Sequence, residues 1–593
     1  MVMDENPPTL ITEADLPNGE EVLARGRALA KDWKVGQNPF LKHVDCPSEA
    51  GFKRQCIEQG RIMQHAQIGF RDFEKSRRAW DEIYETCQRH EVGVDRYGIC
   101  LDWTMGLLSQ DRDERWRGTG LILENIEEFI ALTEGAPVAP HFGDFVLGFP
   151  ASLENTQAAL SAGSTAIGNL GQYFTFRLPG YEDDLAITKA TLTALGLIAA
   201  QDVEVLIHSN LDDGFAAMFT DLSSSLGAVL IEKYIVEDLI GGHISHCYGH
   251  HFSNPRNRIS FHLALAQIAT SPGTMVYGNT TSYRGKPSEN YASLAAYLSA
   301  DIIAQNLRPS GHAINPVPVT ENQRIPDIDE IIDAQLFAGR LIEHGPGLIG
   351  ITDMRPAEAE ASMIVEGGQK FFENTLRGFT QSGVDITDPF QMLLALRRLG
   401  GKRLEELYGA GKIDPSAWRG RRALVQSSLI EKADAAVQSH LCHVGETERT
   451  RLSKAGLKIM VASTDVHEHG KLLVERMFEE LSVVTVDGGV SINPDLLAES
   501  AFRESPDALA ISTYNGIALT YIRALTTALQ NRGLDIPILI GGRLNQVPTG
   551  SNTSMPVDVT DELTGCGVIV CHNVEDAVPA LQKIVNSKNN KGL

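Results

Sequence analysis

LKIMVASTDVHEHGKLLVERMFEE (457–480) decides how the C-terminal part of the chain is read. LKIMVAS (457–463) is an apolar run of strand length, and KLLVERMFEE (471–480) has helical periodicity. Between them stands T-D-V-H-E-H-G. Four more runs of strand length follow: LSVVTVD (481–487), DALAIST (507–513), IPILIGG (536–542) and GVIVC (567–571). Helical segments fit between them, among them NPDLLAESAFRE, ALTYIRALTTALQNRG and the terminal VEDAVPALQKIV. Five strands, each followed by a helix or a long loop, predict a flavodoxin-like (Rossmann-like) doubly wound domain over 456–593. Ligands of such sheets bind at the C-terminal ends of the strands.

Three strand ends there carry suitable chemistry. After the first comes Asp465-x-His467-x-x-Gly470. A histidine at a strand end can present one ring nitrogen to a metal, and Asp465 could take the other ring N–H and fix the tautomer. Gly470 allows a tight turn into the next helix. Ser512 and Thr513 end the third strand, and Gly541-Gly542 end the fourth. Hydroxyls on one side and bare backbone on the other predict a slot for a bulky group.

Taken together, these motifs resemble the cobalamin-binding domain shared by adenosylcobalamin-dependent mutases and cobalamin-dependent methionine synthases. The resemblance covers 456–588. It implies that His467 replaces the cofactor's own benzimidazole as the lower cobalt ligand. It also implies that the displaced nucleotide tail lies beside Ser512 and Gly541-Gly542. Where the family has Ser-x-Leu, this chain reads Ser512-Thr513-Tyr514, so tail contacts are less firmly implied than cobalt ligation. His469 competes with His467, but only His467 has the family spacing.

Upstream, short β-rich runs alternate with helical stretches: VGVDRYGICLD (92–102), VAPHFGDFVLG (138–148), STAIGNLGQYFTFRL (164–178), VEVLIHS (203–209), GAVLIEKY (227–234), GTMVYGN (273–279) and HAINPVPVT (312–320). This alternation predicts a parallel sheet closed as a (β/α)8 TIM-type barrel over 91–345, with an open doubly wound sheet as the alternative. Residues 1–90 read as a mostly helical segment and 346–455 as a helical connector. Within the connector, the basic SAWRGRR (416–422) reads as a linker or docking surface.

FVLGFPASLENTQAALSAGSTAIGNLGQYFTF (145–176) and NPVPVTENQRIPDIDEIIDAQLFAGRLIEH (315–344) resemble the catalytic subunit of glutamate (methylaspartate) mutase. That resemblance implies an adenosylcobalamin-dependent radical mutase, an isomerase of small carboxylates, with barrel and cofactor domain fused in one chain. Such chemistry needs anionic groups held rigidly, so Arg96, Arg117, Arg177 and Tyr173 are the catalytic candidates. Asp144, Glu154 and Glu289 could hold an ammonium or ribose hydroxyls. The run 241–262 contains His243, His246, His250, His251, His262, Cys247, Arg256 and Arg258. It reads better as hydrogen bonding to substrate or cofactor than as a zinc or iron site, because its spacing matches no metal motif. The alternatives are a corrinoid methyltransferase and a non-catalytic cobalamin sensor or carrier.

Composition narrows the partners. The 593 residues carry 52 basic and 76 acidic side chains, a net charge of −24, and a pI near 5.2. Phosphate-rich nucleic acid is therefore not an expected partner. No apolar stretch reaches the ~18 residues of a membrane helix, and the acidic N-terminus does not look like a signal peptide. Eight cysteines without a CxxC pair fit reduced thiols. A cytoplasmic homodimer acting on a small carboxylate is the expectation.

Overall fold

The computed structural model describes residues 8–591 except 113–117, 119, 179–180, 182, 212–218, 251–253, 280–281, 284–285, 323–324, 416, 418, 465–468, 491, 515, 547 and 549–555. The chain forms two compact units. The N-terminal unit comprises 1–175 and 183–428; the C-terminal unit comprises 429–593 together with 176–182.

In the N-terminal unit, strands β1 (His65–Ile68), β2 (Arg96–Ile99), β3 (Ala139–Phe142), β4 (Ala166–Gly168), β5 (Leu206–Asn210) and β6 (His243–Cys247) pair in chain order, all parallel. Strands β7 (Met275–Val276) and β8 (Ala313–Ile314) form their own parallel ladder. Single parallel bridges, Tyr248 to Val276 and Gln64 to Ile314, join residues beside the two ladders. The continuous ladder is therefore open at six strands, and the expected closed barrel is not formed as one ladder. The physical reason lies in β7 and β8. Each has two residues, and Pro316 and Pro318 after β8 supply no backbone N–H.

Several helices between the strands begin on side-chain caps. The Asp72 carboxylate accepts from the Lys75 amide (2.6 Å), and the Asn125 amide oxygen accepts from Glu128 N (3.0 Å). Three expectations need correction. GAVLIEKY (227–234) is not a strand: it lies mostly in helix Leu222–Lys233, capped by Asp221. A short apolar run buried on nearly every side has no period that separates helix from strand. Conversely, β1 interrupts the stretch read as helix, and β6 runs through the histidine-rich segment. Both strands bury polar side chains, His65 and His246 among them, so they lack the apolar signature of a strand.

The predicted connector is divided. Helices Arg355–Gln381 and Pro389–Tyr408 belong to the N-terminal unit, and helices Ser428–Leu441 and Glu446–Ala455 belong almost wholly to the C-terminal one. In the described part of SAWRGRR, Arg421 acts as a structural cap. Arg421 donates to the carbonyls of Leu407 (2.7 Å), Glu406 (2.8 Å) and Gly411 (3.1 Å), which satisfies the end of helix Pro389–Tyr408. Arg422 pairs with Asp414 at 2.8 Å.

In the C-terminal unit, β9 (Lys458–Ser463), β10 (Val484–Gly489), β11 (Ala508–Thr513) and β12 (Ile538–Gly542) are followed by the small β13 (Asn545–Gln546) and β14 (Val557–Asp558) and by β15 (Ile569–Cys571). The parallel order is β10-β9-β11-β12-β15, the flavodoxin-like arrangement expected. Both faces of this sheet are buried, which is why its strands read as unbroken apolar runs. Ile459 and Val461 join Ala508, Ala510 and Leu539 on one face. Met460 and Ala462 join Leu509, Ile511, Ile538 and Ile540 on the other. Val437, Leu441 and Leu452 from the two preceding helices are part of the first face's core.

Candidate functional site

The strand order of the C-terminal unit reverses between β9 and β11, so the ligand crevice of this sheet lies at their C-terminal ends. There the Thr464 and Thr513 hydroxyls are hydrogen-bonded at 3.0 Å, both buried, and Thr464 N donates to Ser512 O at 2.9 Å. Gly470, in the first turn of helix His469–Glu480, approaches closely: a β-carbon there would lie 2.4 Å from Ser512 Oγ. At the end of β12, Gly542 has φ +103°, and a β-carbon would lie 2.3 Å from Thr513 O. Only glycine fits both demands. Gly541 is equally bare beside Cys571 O. The structure thus brings Gly470, Ser512, Thr513, Gly541 and Gly542 to one edge. Asp465 and His467 lie outside the described residues, and His469 opens the helix after them. Tyr514 is the bulky exception at this edge, with the Arg543 guanidinium 5.1 Å from its ring centroid.

This edge suits a large, flat, polar-rimmed ligand, because small residues clear the space and buried hydroxyls line it. Residues 458–582 match the B12 binding domain family. The chain carries a B12-binding domain. Among solved structures, a similar chain is the one described as a novel cobalamin-binding protein from Desulfitobacterium hafniense DCB-2. It is 19% identical, with a TM-score of 0.19, and the match covers 26% of this chain and 83% of that one. No curated protein matches this chain in sequence. The match to the B12 binding domain supports cobalamin binding, and the glycines and hydroxyls at this edge leave room for a bulky group.

The N-terminal unit treats its candidates differently. Arg96 is the first residue of β2, at the opposite end of the strand from where ligand loops begin. It is fully buried, its Nε 2.8 Å from Glu49 Oε1 and its Nη1 3.3 Å from His65 Nδ1. Lys53, also fully buried, lies 3.4 Å from the same Glu49 oxygen and donates to the carbonyls of Gly311 and Thr274. Burial pushes the Lys53 ammonium down to about 8, against the pull of Glu49. Arg96, expected as a substrate ligand, is engaged in a buried ion pair with Glu49, and its Nη2 has no hydrogen-bond partner. Tyr173 is enclosed as well. Its ring is buried, and its hydroxyl meets Thr188 Oγ1 at 2.7 Å. Arg397, which the sequence reading missed, donates to Tyr173 O at 2.6 Å and packs on its ring. Arg177 is exposed and groups with the C-terminal unit, and Arg117 lies outside the described residues.

At the C-terminal ends of β3 and β4 the structure places Asp144. Gln172 Nε2 donates to its Oδ1 at 3.3 Å, while Gln172 Oε1 accepts from Phe145 N at 2.9 Å. Phe145 has φ +61°, a strained conformation for a non-glycine residue, and Asn155 holds its carbonyl. Burial raises the Asp144 carboxyl to about 6, and a hydrogen bond from Asn169 opposes the rise. Because its folded pKa lies above the unfolded value, the folded state keeps the proton longer. The resulting penalty sets in as pH rises from about 4 and is complete above about 6. Asp144→Asn should leave stability at pH 4 unchanged. At pH 7.5 it should raise stability by on the order of 1 kcal/mol, discounted for the residue's partial solvent contact. Urea unfolding at the two pH values checks this.

The histidine-rich run is dispersed. His246 pairs with Glu232 at 2.9 Å, and His262 bonds Tyr248 Oη at 2.6 Å and Arg308 O at 2.8 Å. Arg258 is held by Asp301 and donates to the carbonyls of Gly249 and Tyr277. Among the described residues, no group of three or more His, Cys, Asp or Glu is arranged to hold a metal ion. His251 lies outside them. Among the same residues, no helix is long and apolar enough to cross a membrane.

Proposed function

We propose that the chain is an adenosylcobalamin-dependent carbon-skeleton mutase. The B12-binding domain holds the cofactor, and the strand ends of the N-terminal unit hold a small carboxylate or amino acid. In this reading the eight parallel strands of that unit act as a (β/α)8 barrel. The observation that carries it is the pairing of a glycine- and hydroxyl-lined B12 edge with some 400 residues built around eight parallel strands, far more than a carrier needs. Adenosylcobalamin, when bound, supplies an organic radical by cobalt–carbon homolysis. His467 would ligate the cobalt, and Asp465 would fix its tautomer. Ser512, Thr513 and the two bare glycines accommodate the nucleotide tail. Asp144 holds an ammonium or a hydroxyl, and Arg117 pairs with substrate carboxylate. A homodimer is the assembly proposed.

The test is hydrogen exchange. Adenosylcobalamin labelled at its 5′ carbon should lose label to a member of a panel of small amino acids, hydroxy acids and acyl thioesters. Absence of exchange across the panel defeats the mutase reading and favours a carrier. A second reading is a corrinoid methyltransferase, favoured by the helix pair 428–455 built into the cobalamin unit. Formation of methylcobalamin from a methyl donor would select it.

A further inference from the structure

Thr513 and Gly542 are the last registered pair of β11 and β12. The next residues along the two strands are Tyr514 and Arg543. Both therefore stand at the C-terminal edge, where a sheet of this kind takes its ligand. The backbone under Arg543 is fixed. Its N–H donates to Thr513 O at 2.8 Å, its carbonyl accepts from Asn545 N at 2.8 Å, and Leu544 between the two is anchored in the core. On that frame the half-buried Arg543 sets its guanidinium over the Tyr514 ring, 5.1 Å from the centroid. Among the described residues no carboxylate pairs with it. A guanidinium held over a ring spends its face and keeps its N–H edge for an anion. Its fixed fork matches a phosphate, and a ring that already holds the fork reduces the freedom lost on pairing. The nucleotide tail of cobalamin joins the corrin through a phosphodiester, an anion that the amide rim of the corrin lacks.

We propose that Arg543, held by Tyr514, recognises the phosphodiester of the cobalamin tail. The pair makes the domain select complete cobalamin over corrinoids that lack the phosphate. This inference rests on the reading above in which Ser512, Thr513, Gly541 and Gly542 accommodate the tail.

The experiment titrates the full chain with adenosylcobalamin, adenosylcobinamide phosphate and adenosylcobinamide, which lacks both nucleotide and phosphate. The visible spectrum reports Kd. Arg543→Ala should weaken the first two by about tenfold, the low end for a hydrogen bond to a charged group, and leave adenosylcobinamide unchanged. Arg543→Lys keeps the charge and loses the fork, so it should fall between. Tyr514→Ala should weaken the same two ligands by roughly threefold, and should add little to Arg543→Ala, because both side chains act through one contact. Tyr514→Phe, which keeps the ring, should retain most of the affinity. An Arg543→Ala protein that loses all three ligands equally, or none, overturns the proposal. A loss confined to adenosylcobalamin would place the contact on ribose or base and overturns it as well. Arg543→Gln decides by the same comparison if Arg543→Ala does not fold. The wild type judges the tail slot separately. If it binds adenosylcobalamin no more tightly than adenosylcobinamide, the slot reading falls and takes the proposal with it. A wild-type preference that survives Arg543→Ala removes the proposal alone.

Discussion

His467→Ala is expected to bind cobalamin with the benzimidazole still on cobalt, where wild type binds it displaced, and with affinity lower by at least about 100-fold. The magnitude follows from losing the metal ligand itself, since removing only a group that orients a ligand costs about 10–100-fold. Asp465→Asn should fall between wild type and His467→Ala, because it disturbs the tautomer and leaves the imidazole. His469→Ala should leave the spectrum unchanged, because His469 begins the following helix. Visible spectroscopy of the loaded full chain checks all three. A His467→Ala protein with the wild-type spectrum would remove the axial-ligand assignment. The glycine-lined edge would then be a slot for a corrinoid that keeps its own lower base.

Glu49→Gln should destabilise the N-terminal unit by about 3–5 kcal/mol, the scale for stranding buried charge. Glu49 stands between two fully buried cations, Arg96 at 2.8 Å and Lys53 at 3.4 Å. Without its carboxylate the positive charges face each other with nothing between them. Lys53, already near 8, should then deprotonate more readily. The loss should therefore be greater at pH 6 than at pH 9. Adding Arg96→Met to Glu49→Gln should recover part of the loss, because neighbours that share a partner are not additive. All five tryptophans precede residue 429, so tryptophan fluorescence during urea unfolding reports on the N-terminal unit. A Glu49→Gln midpoint equal to wild type would show that the triad contributes nothing.

The C-terminal unit was legible because its strands are buried on both faces. Unbroken runs such as LKIMVAS and DALAIST have no helical period, and the turn chemistry between them is explicit. The glycines at 470, 541 and 542 could be placed for the same reason, since each answers a backbone demand at a strand end. The N-terminal unit was harder. Strands β1 and β6 turn histidines into the protein, and such residues read as loop or site in a sequence. Arg96 shows the limit plainly. An arginine in a strand pattern can stand at either end of it, and only Glu49, 47 residues earlier, reveals that this one is buried as an ion pair. Asp144 needed the fold as well, because its environment comes from Asn169 and Gln172 on the next strand's loop.

The helix pair ahead of β9 sets where the cofactor-holding module begins. Val437, Leu441 and Leu452 complete one face of its core, Asp434 reaches Arg476 at 3.0 Å, and Glu448 bonds Gln582. As a transplantable cassette the module therefore starts near 428, some thirty residues before its family match. A cut at 456 would leave a greasy wound on one side of the sheet, prone to clumping before any cofactor arrived.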